Sequence, residues 1–234
     1  MSNLAEDGFA IHERVLSPAQ VDALLAELAR HFPCGDNPRR AGTRNLLQLP
    51  AIRELTRTAG IANLLTPALG DAARPVRALL FDKTPAANWS VPWHQDVAIA
   101  VAEKREVHGF RGWSMKEGVP HVQPPAAILA EMLTVRLHLD SCGVANGPLR
   151  VLRGSHRRGR LDEIGIQRCK MECEEVIGTV PRGGALLMRP LLLHASSPAT
   201  KPKHRRVLHL EFANAPLPGG LRWFSDYASS LACS

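Results

Sequence analysis

Residues Leu133–Gly159 read LTVRLHLDSCGVANGPLRVLRGSHRRG. The first eight, Leu133–Asp140, alternate apolar and polar side chains with the period of two that marks a strand. Leu133, Val135, Leu137 and Leu139 fall on one face, and Thr134, Arg136, His138 and Asp140 on the other. The leucine face calls for a core or an outer helix layer, and the polar face for a cavity or solvent. Asn146-Gly147 then signals a turn, and Leu149–Leu152 opens a second short strand.

The same short-strand texture continues on both sides. Strands are expected near Val76–Phe81, Glu174–Val180, Ala185–Arg189 and Arg205–Glu211, with Gly183-Gly184 as another turn. Upstream the rhythm is helical. Ser17 is a good cap, Pro18 suits the first helical position, and Val21, Leu24, Leu25 and Leu28 recur up to about His31. Shorter helices are expected over Ala51–Thr58 and Ile61–Leu69, the second stopped by Gly70. Cys34–Asn45 and Met115–Pro125 read as loops, and Ala126–Glu131 as a short helix. Helices first and short strands afterwards predict an α+β fold with a mostly β core of jelly-roll or barrel type. No GxGxxG follows a strand and no phosphate-binding loop is present, so a nucleotide fold has no support.

A chain of 234 residues suits one domain, and 45% hydrophobic with 22% charged residues excludes a disordered or fibrous protein. A single domain over residues 1–234 is expected, with a helical part to about 72 and a sheet core over about 73–225. No apolar run approaches the ~20 residues of a membrane span. The opening MSNLAEDGFA carries acid before any hydrophobic core, which argues against a secretory signal and for the cytoplasm. The formal net charge is +7, with clusters at Arg150, Arg153, Arg157, Arg158 and Arg160 and at Lys201, Lys203, Arg205 and Arg206. Such a surface attracts nucleic acid or a small carboxylate or phosphate. An aromatic share of 5%, with Tyr227 the single tyrosine, lacks the stacking platform of a single-strand binder, so nucleic acid is not the expected partner. The five cysteines, Cys34, Cys142, Cys169, Cys173 and Cys233, form no zinc pattern and read as thiols in a reducing compartment.

Two segments carry chemistry. One is Trp93-His94-Gln95-Asp96; the other is Leu192–Pro198, which holds His194 and Ser196. In an extended segment His94 and Asp96 point the same way. His194 closes the apolar run LLMRPLLLH, which gives it a rigid position if the run is one core strand. Two histidines and a carboxylate make the facial triad of non-haem Fe(II) oxygenases, with open positions left on the metal. Spacing alone favours the mundane reading, His94 as a hydrogen-bonded loop residue and His194 as a satisfied sheet-edge histidine. Arg205 lies eleven residues past His194. If Leu191–His194 and Arg205–Phe212 are adjacent antiparallel strands, Arg205 points into the same cavity and needs an anion there, while Arg206 faces away.

The motifs FDKTPAANWSVPWHQD (Phe81–Asp96), LHLDSCGVANGPLRVLRGSHRRG (Leu137–Gly159), PRGGALLMRPLLLHASSP (Pro181–Pro198) and HRRVLHLEF (His204–Phe212) occur in an order that resembles the phytanoyl-CoA dioxygenase (PhyH-like) family of Fe(II)/2-oxoglutarate-dependent oxygenases. The resemblance covers most of the chain. It implies a double-stranded β-helix with N-terminal helices outside. It implies His94, Asp96 and His194 as Fe(II) ligands and Arg205 on the distal carboxylate of 2-oxoglutarate, helped by Ser196. Gly147 and Gly154 would shape the backbone, and Ser155 and His156 would stabilise the fold locally; the family pattern does not use His156 as a ligand. The retained Asp96 argues for hydroxylation and against halogenation. The implied co-substrates are 2-oxoglutarate and O2, the products succinate, CO2 and an alcohol.

The polar face of Leu133–Asp140 adds Arg136 and His138 as residues expected to touch co-substrate or substrate, with a solvated sheet face as the equal alternative. Arg77 is a weaker case. Lys83, Trp89 and Trp93 flank the metal segment; any of them could wall the site, but each is expected to be structural. Val97–Gln123, with Lys104, Arg105, His108, Arg111, Trp113, Lys116 and His121, reads as a lid, and His121 is placed near the open metal face. The expected substrate is a small molecule, an anionic one fitting the basic residues. Rival readings are an acyl-CoA hydroxylase, an oxygenase of nucleic acid, a cupin-like enzyme without 2-oxoglutarate and a non-catalytic jelly roll. Monomer and homodimer are equally open.

Overall fold

The computed structural model describes residues 3–32 and 42–226. Cys34, Tyr227, Cys233 and most of the expected Cys34–Asn45 loop lie outside the described residues. In chain order the elements are α1 (Leu4–Asp7), β1 (Phe9–His12), α2 (Pro18–His31), α3 (Pro50–Thr56), α4 (Ala59–Leu69), β2 (Arg74–Lys83), β3 (Val91–His94), β4 (Ile99–Ala100), β5 (Arg111–Lys116), β6 (Val119–Gln123), α5 (Ala126–Ala130), β7 (Met132–His138), β8 (Leu149–Leu152), α6 (Glu163–Glu172), β9 (Glu175–Gly178), β10 (Ala185–Met188), β11 (His194–Ser196) and β12 (Arg205–Ala213). Among the described residues, no helix is long and apolar enough to cross a membrane.

The strands form three antiparallel sheets. A five-stranded sheet has the order β1-β10-β7-β12-β2, a four-stranded sheet the order β3-β11-β8-β9, and a three-stranded sheet the order β4-β6-β5. The first two are the jelly roll that the strand texture predicts, with the helices placed upstream. Ser17 closes a capping box with Gln20 at the start of α2, and Gly70, at φ 70°, ends α4.

The alternation in β7 sorts the large sheet into two faces. Leu133, Val135 and Leu137 join Leu208, Leu210 and Phe212 of β12, and all pack against Val21, Leu24 and Leu28 of α2, Ile52 of α3 and Ile61, Leu65 and Leu69 of α4. Truncating a leucine in such a layer to alanine typically costs about 2–5 kcal/mol. Thr134, Arg136 and His138 are buried on the opposite face. There they join Lys83 of β2 and Arg205, His209 and Glu211 of β12, all buried as well.

Several expectations need correction. Leu191–His194 and Arg205–Phe212 are not paired strands: β11 pairs with β3 and β8, and β12 with β2 and β7. The two lie in different sheets, so Arg205 meets the His194 segment across the barrel. The run LLMRPLLLH is not one strand. β10 ends at Met188, and the chain turns at Arg189-Pro190, where Arg189 N–H donates to the Gly8 carbonyl. Asp140 leaves the polar face of β7, because the strand stops at His138 and Asp140 accepts from Arg206 at 2.7 and 2.8 Å. The Met115–Pro125 loop is largely the β5–β6 hairpin, turned by Glu117 and Gly118, both at positive φ. The helical N-terminal part also contributes β1 as an edge strand of the large sheet. α6 carried no sequence signal strong enough to expect it, since its polar sequence lacks an apolar stripe.

Candidate metal centre

His94 ends β3 and His194 begins β11, and the two residues are direct partners in the antiparallel ladder. That pairing puts the two rings on one face, with centroids 4.1 Å apart. Asp96 lies just past β3, where its backbone N–H donates to the Pro190 carbonyl at 2.9 Å. Its carboxylate oxygens stand 3.9 Å from His94 Nε2 and 3.7 Å from His194 Nε2. The one histidine, cysteine and carboxylate group able to share a metal ion among the described residues is His94, Asp96 and His194, with ligand atoms within 4.8 Å of one another.

The residue between the ligands fixes this geometry. Gln95 points away from the metal side and is buried. Its Nε2 donates to the carbonyls of Gly159 at 2.8 Å and Leu191 at 2.7 Å, and its Oε1 accepts from Leu161 N–H at 2.9 Å. On the other strand, Ser155 Oγ accepts the Leu193 N–H at 2.9 Å, next to His194. Ser155 is therefore a local stabiliser, as expected. His156 is kept off the metal because its Nε2 lies 3.2 Å from the Ala5 carbonyl.

The donor set fits a divalent metal. Each ligand histidine turns Nδ1 to a backbone carbonyl two residues earlier, His94 to Pro92 at 2.9 Å and His194 to Leu192 at 3.0 Å. A ring nitrogen facing a carbonyl must carry the proton, so Nε2 is left as a lone pair on both rings. Burial pushes the His194 pKa down to about 4, which keeps the ring neutral, the form that ligates. Burial would raise the Asp96 pKa, but His194, His209, His94 and Arg77 bring it down to about 2, so the carboxylate is ionised. Asp96 Oδ2 is buried without a hydrogen-bond partner, an uncompensated acceptor that a cation would satisfy. Two imidazoles and one carboxylate on one side of a metal is the facial arrangement of non-haem Fe(II) oxygenases.

The cations form a second cluster. Arg205 is buried, its Nη1 donates to the Gly147 carbonyl, and its Nε has no partner. Lys83, directly opposite Arg205 in the ladder, is 2% exposed. Its ammonium donates to Ser196 Oγ at 3.1 Å and the Ser197 carbonyl at 3.2 Å, and lies over the Trp89 ring. Arg136 bonds to His209 Nδ1 at 2.8 Å, and its Nε is unpartnered. His138 is buried beside these groups; burial, then Arg136 and Arg205, hold its pKa to about 3, and its Nδ1 has no partner. None of Arg205, Lys83 and Arg136 pairs with a carboxylate among the described residues.

The structure thus brings His94, Asp96 and His194 together, and gathers Arg205, Ser196, Arg136 and His138 on the adjoining inner faces. Lys83, expected to be structural, is buried beside these cations, opposite Arg205. Its register opposite Arg205 was the missing information, and the sequence does not display strand partners. Trp93 lies under Arg150 and packs against the buried cluster of Leu152, Cys169 and Leu193. His121 lies outside the metal group and is buried on β6, where its Nδ1 faces the Val119 carbonyl at 3.0 Å. A cavity of about 500 Å³ is lined by Arg53, Arg57, Leu65, Arg74 and Asp226 near α3 and α4, and none of the triad residues lines it.

Gly147 links the two clusters. It sits at φ 61° with its carbonyl on Arg205, and a Cβ there would lie 2.7 Å from the Ser197 carbonyl oxygen. Gly147→Ala is expected to destabilise the protein by about 1–3 kcal/mol, because it combines a left-handed backbone with a backbone clash. Denaturant unfolding checks this, and a change below about 0.5 kcal/mol would contradict it.

A jelly roll that opens on a facial triad is the architecture of a non-haem Fe(II) oxygenase. A family model described as phytanoyl-CoA dioxygenase (PhyH) matches residues 4–207, and the chain belongs to that family. No curated protein matches the chain. Among solved structures, AviO1 from Streptomyces viridochromogenes is similar at 22% identity and a TM-score of 0.64, covering 92% of this chain and 93% of that one. SnoN, a non-heme alpha-ketoglutarate-dependent epimerase from nogalamycin biosynthesis, is similar at 17% identity and a TM-score of 0.67, covering 93% and 87%. EctD from S. alaskensis, solved with bound Fe, is similar at 20% identity and a TM-score of 0.67, covering 90% and 74%. Likenesses at these identities establish the fold.

Proposed function

We propose that this enzyme hydroxylates an aliphatic C–H bond of a small anionic molecule, using 2-oxoglutarate and O2 and releasing succinate and CO2. The observation that carries the co-substrate is the trio of buried cations, Arg205, Lys83 and Arg136, none of which is paired with a carboxylate among the described residues. Burying a charge without a counter-charge is costly. A dicarboxylate reaching from the triad toward Arg205 supplies the missing charge.

In this reading Arg205 grips the distal carboxylate through its fork, with Gly147 fixing the guanidinium from behind. Lys83 adds a second cation, and Ser196 holds the Lys83 ammonium in place. Arg136 meets the carboxylate nearer the metal. His138, neutral and with a free Nδ1, offers a hydrogen bond to the same ligand. His94, Asp96 and His194 hold Fe(II), which when bound supplies the dioxygen chemistry that oxidises the substrate. Gln95 and Ser155 keep the ligand-bearing segments from shifting. The substrate side faces His94 and Asp96, which are more open than His194. Burial, then the nearby Arg77 and Arg44, lowers the pKa of Lys116 on the β5–β6 hairpin, and this local positive charge supports an anionic substrate.

Lys83 gives the co-substrate site a pH signature. Burial, then Arg205, lowers its pKa to about 8, so the ammonium is present below that pH and lost above it. Affinity for 2-oxoglutarate is expected to fall as pH rises through about 8, and Lys83→Met is expected to remove this limb while weakening binding throughout. Calorimetry with the non-reactive analogue N-oxalylglycine from pH 6.5 to 9.5 checks it, and the same slope in Lys83→Met would contradict it.

The test of the reaction is to incubate Fe(II)-loaded protein with 2-oxoglutarate, O2 and a panel of small carboxylates. The expected result is succinate formed in step with a product heavier by one oxygen atom. Succinate accompanied by an epimerised or cyclised product of unchanged oxygen count would overturn hydroxylation and leave the enzyme class intact.

A further inference from the structure

Across the inner face of the large sheet runs a chain of four polar side chains, the half-buried Arg77 and the buried Glu211, His209 and Arg136. Strand register puts them in contact. Arg77 of β2 is opposite Glu211 of β12, and His209 of β12 is opposite Arg136 of β7. Arg77 Nη1 donates to Glu211 Oε1 at 3.1 Å, His209 Nε2 lies 3.2 Å from the same oxygen, and Arg136 Nη1 lies 2.8 Å from His209 Nδ1.

The two ends dictate the state of the middle. A guanidinium only donates, so His209 Nδ1 must accept from Arg136. Nε2 then carries the ring proton and must donate, and Glu211 is the group that accepts it. Burial would raise the Glu211 pKa, but Arg77 and then the His209 bond lower it, so the acceptor is an ionised carboxylate. The order cannot be reversed without setting two donors against each other. His209 also meets Phe81 edge-on, and the Arg136 guanidinium lies over the Phe81 ring, 5.5 Å from its centroid. Arg136 therefore bridges the ground between Arg205 and Asp96, whose opposed charges both act on it.

We propose that Arg77, Glu211 and His209 form a relay that holds Arg136 in one orientation, aimed at the co-substrate carboxylate nearest the metal, with His209 as the positioning residue. This rests on the 2-oxoglutarate reading above. A free arginine side chain samples many rotamers, and a receptor arginine gains affinity when its supporting contacts fix one of them. The relay supplies that support from a strand that also carries Arg205, so both ends of the dicarboxylate are gripped from β12, one directly and one through His209.

The test is calorimetry on Mn(II)-loaded protein with two probes: N-oxalylglycine, which offers both ends, and oxalate, which offers the metal end alone. His209→Gln keeps a polar group toward Glu211 but removes the acceptor facing Arg136. It is expected to weaken both probes by about tenfold, the scale of one charge-assisted hydrogen bond. His209→Asn places an amide oxygen near the lost Nδ1 and is expected to stay within about threefold of the wild type. In an Arg136→Met background, His209→Gln is expected to have no further effect. Thermal melts identify any variant that is unfolded, and His209→Asn keeps the test open in that case. Equal weakening by His209→Gln with and without Arg136, or equal weakening by Asn and Gln, would overturn the relay. The co-substrate reading fails separately: it is overturned if Arg205→Met binds N-oxalylglycine as the wild type does.

Discussion

Asp96→Ala is expected to abolish turnover and to lower metal affinity by more than about 100-fold, beyond the 10–100-fold that loss of an outer-shell partner typically costs. The reason is charge as much as geometry. His94 and His194 ligate as neutral rings, so Asp96 supplies all the negative charge that the protein brings to the metal. Asp96→Asn keeps the shape and loses that charge, and is expected to fall close to alanine. The metal-free protein should not melt earlier, because Asp96 Oδ2 has no hydrogen-bond partner to lose. Metal titration with thermal melts checks both halves. An Asp96→Ala protein that still binds the metal within about tenfold of wild type would remove the carboxylate from the ligand set.

Arg205→Met separates co-substrate binding from folding. Affinity for 2-oxoglutarate is expected to drop by about 100-fold, the lower end of what truncating one partner of a buried charge pair costs. Metal affinity should stay near wild type, since Arg205 bonds to Gly147 and not to a ligand residue. Unfolding of the empty protein should change little. Removing a buried cation without an acid partner relieves a desolvation cost, and this offsets the bond lost to the Gly147 carbonyl. Calorimetry and denaturant melts give the two numbers. Unchanged co-substrate affinity would show that the buried cations serve another ligand.

The sequence was most legible where a local rule and the tertiary structure agree. The period of two in Leu133–His138 gave both faces of β7, because one packs on helices and the other faces the barrel. Ser17-Pro18 and Gly70 marked helix ends by chemistry that needs no partner strand. His94-x-Asp96 was legible as a pair because the two ligands are near in sequence. What failed was pairing. Nothing local states that His194 stands opposite His94, or that Lys83 stands opposite Arg205. The assumed β11–β12 ladder came from their closeness in sequence, and the jelly roll places such neighbours in opposite sheets. His209 and Glu211 share the parity of Arg205 along RRVLHLEF, and extending that alternation by two steps would have found the relay. The role of Gln95 is not legible locally, because its partners, Gly159, Leu161 and Leu191, are far along the chain. The β5–β6 hairpin was hidden by Gly112, Gly118 and Pro120, which read as loop residues.

One cavity is expected to hold Fe(II) on His94, Asp96 and His194 and to receive 2-oxoglutarate on Arg205. The most direct test is an anaerobic titration of the metal-free protein with Fe(II) and 2-oxoglutarate, followed by the weak visible charge-transfer band of the chelate. The account predicts a saturable band in the wild type, the same band at much higher 2-oxoglutarate concentrations in Arg205→Met, and its loss in Asp96→Ala. A well-folded wild-type protein that develops no band would contradict it.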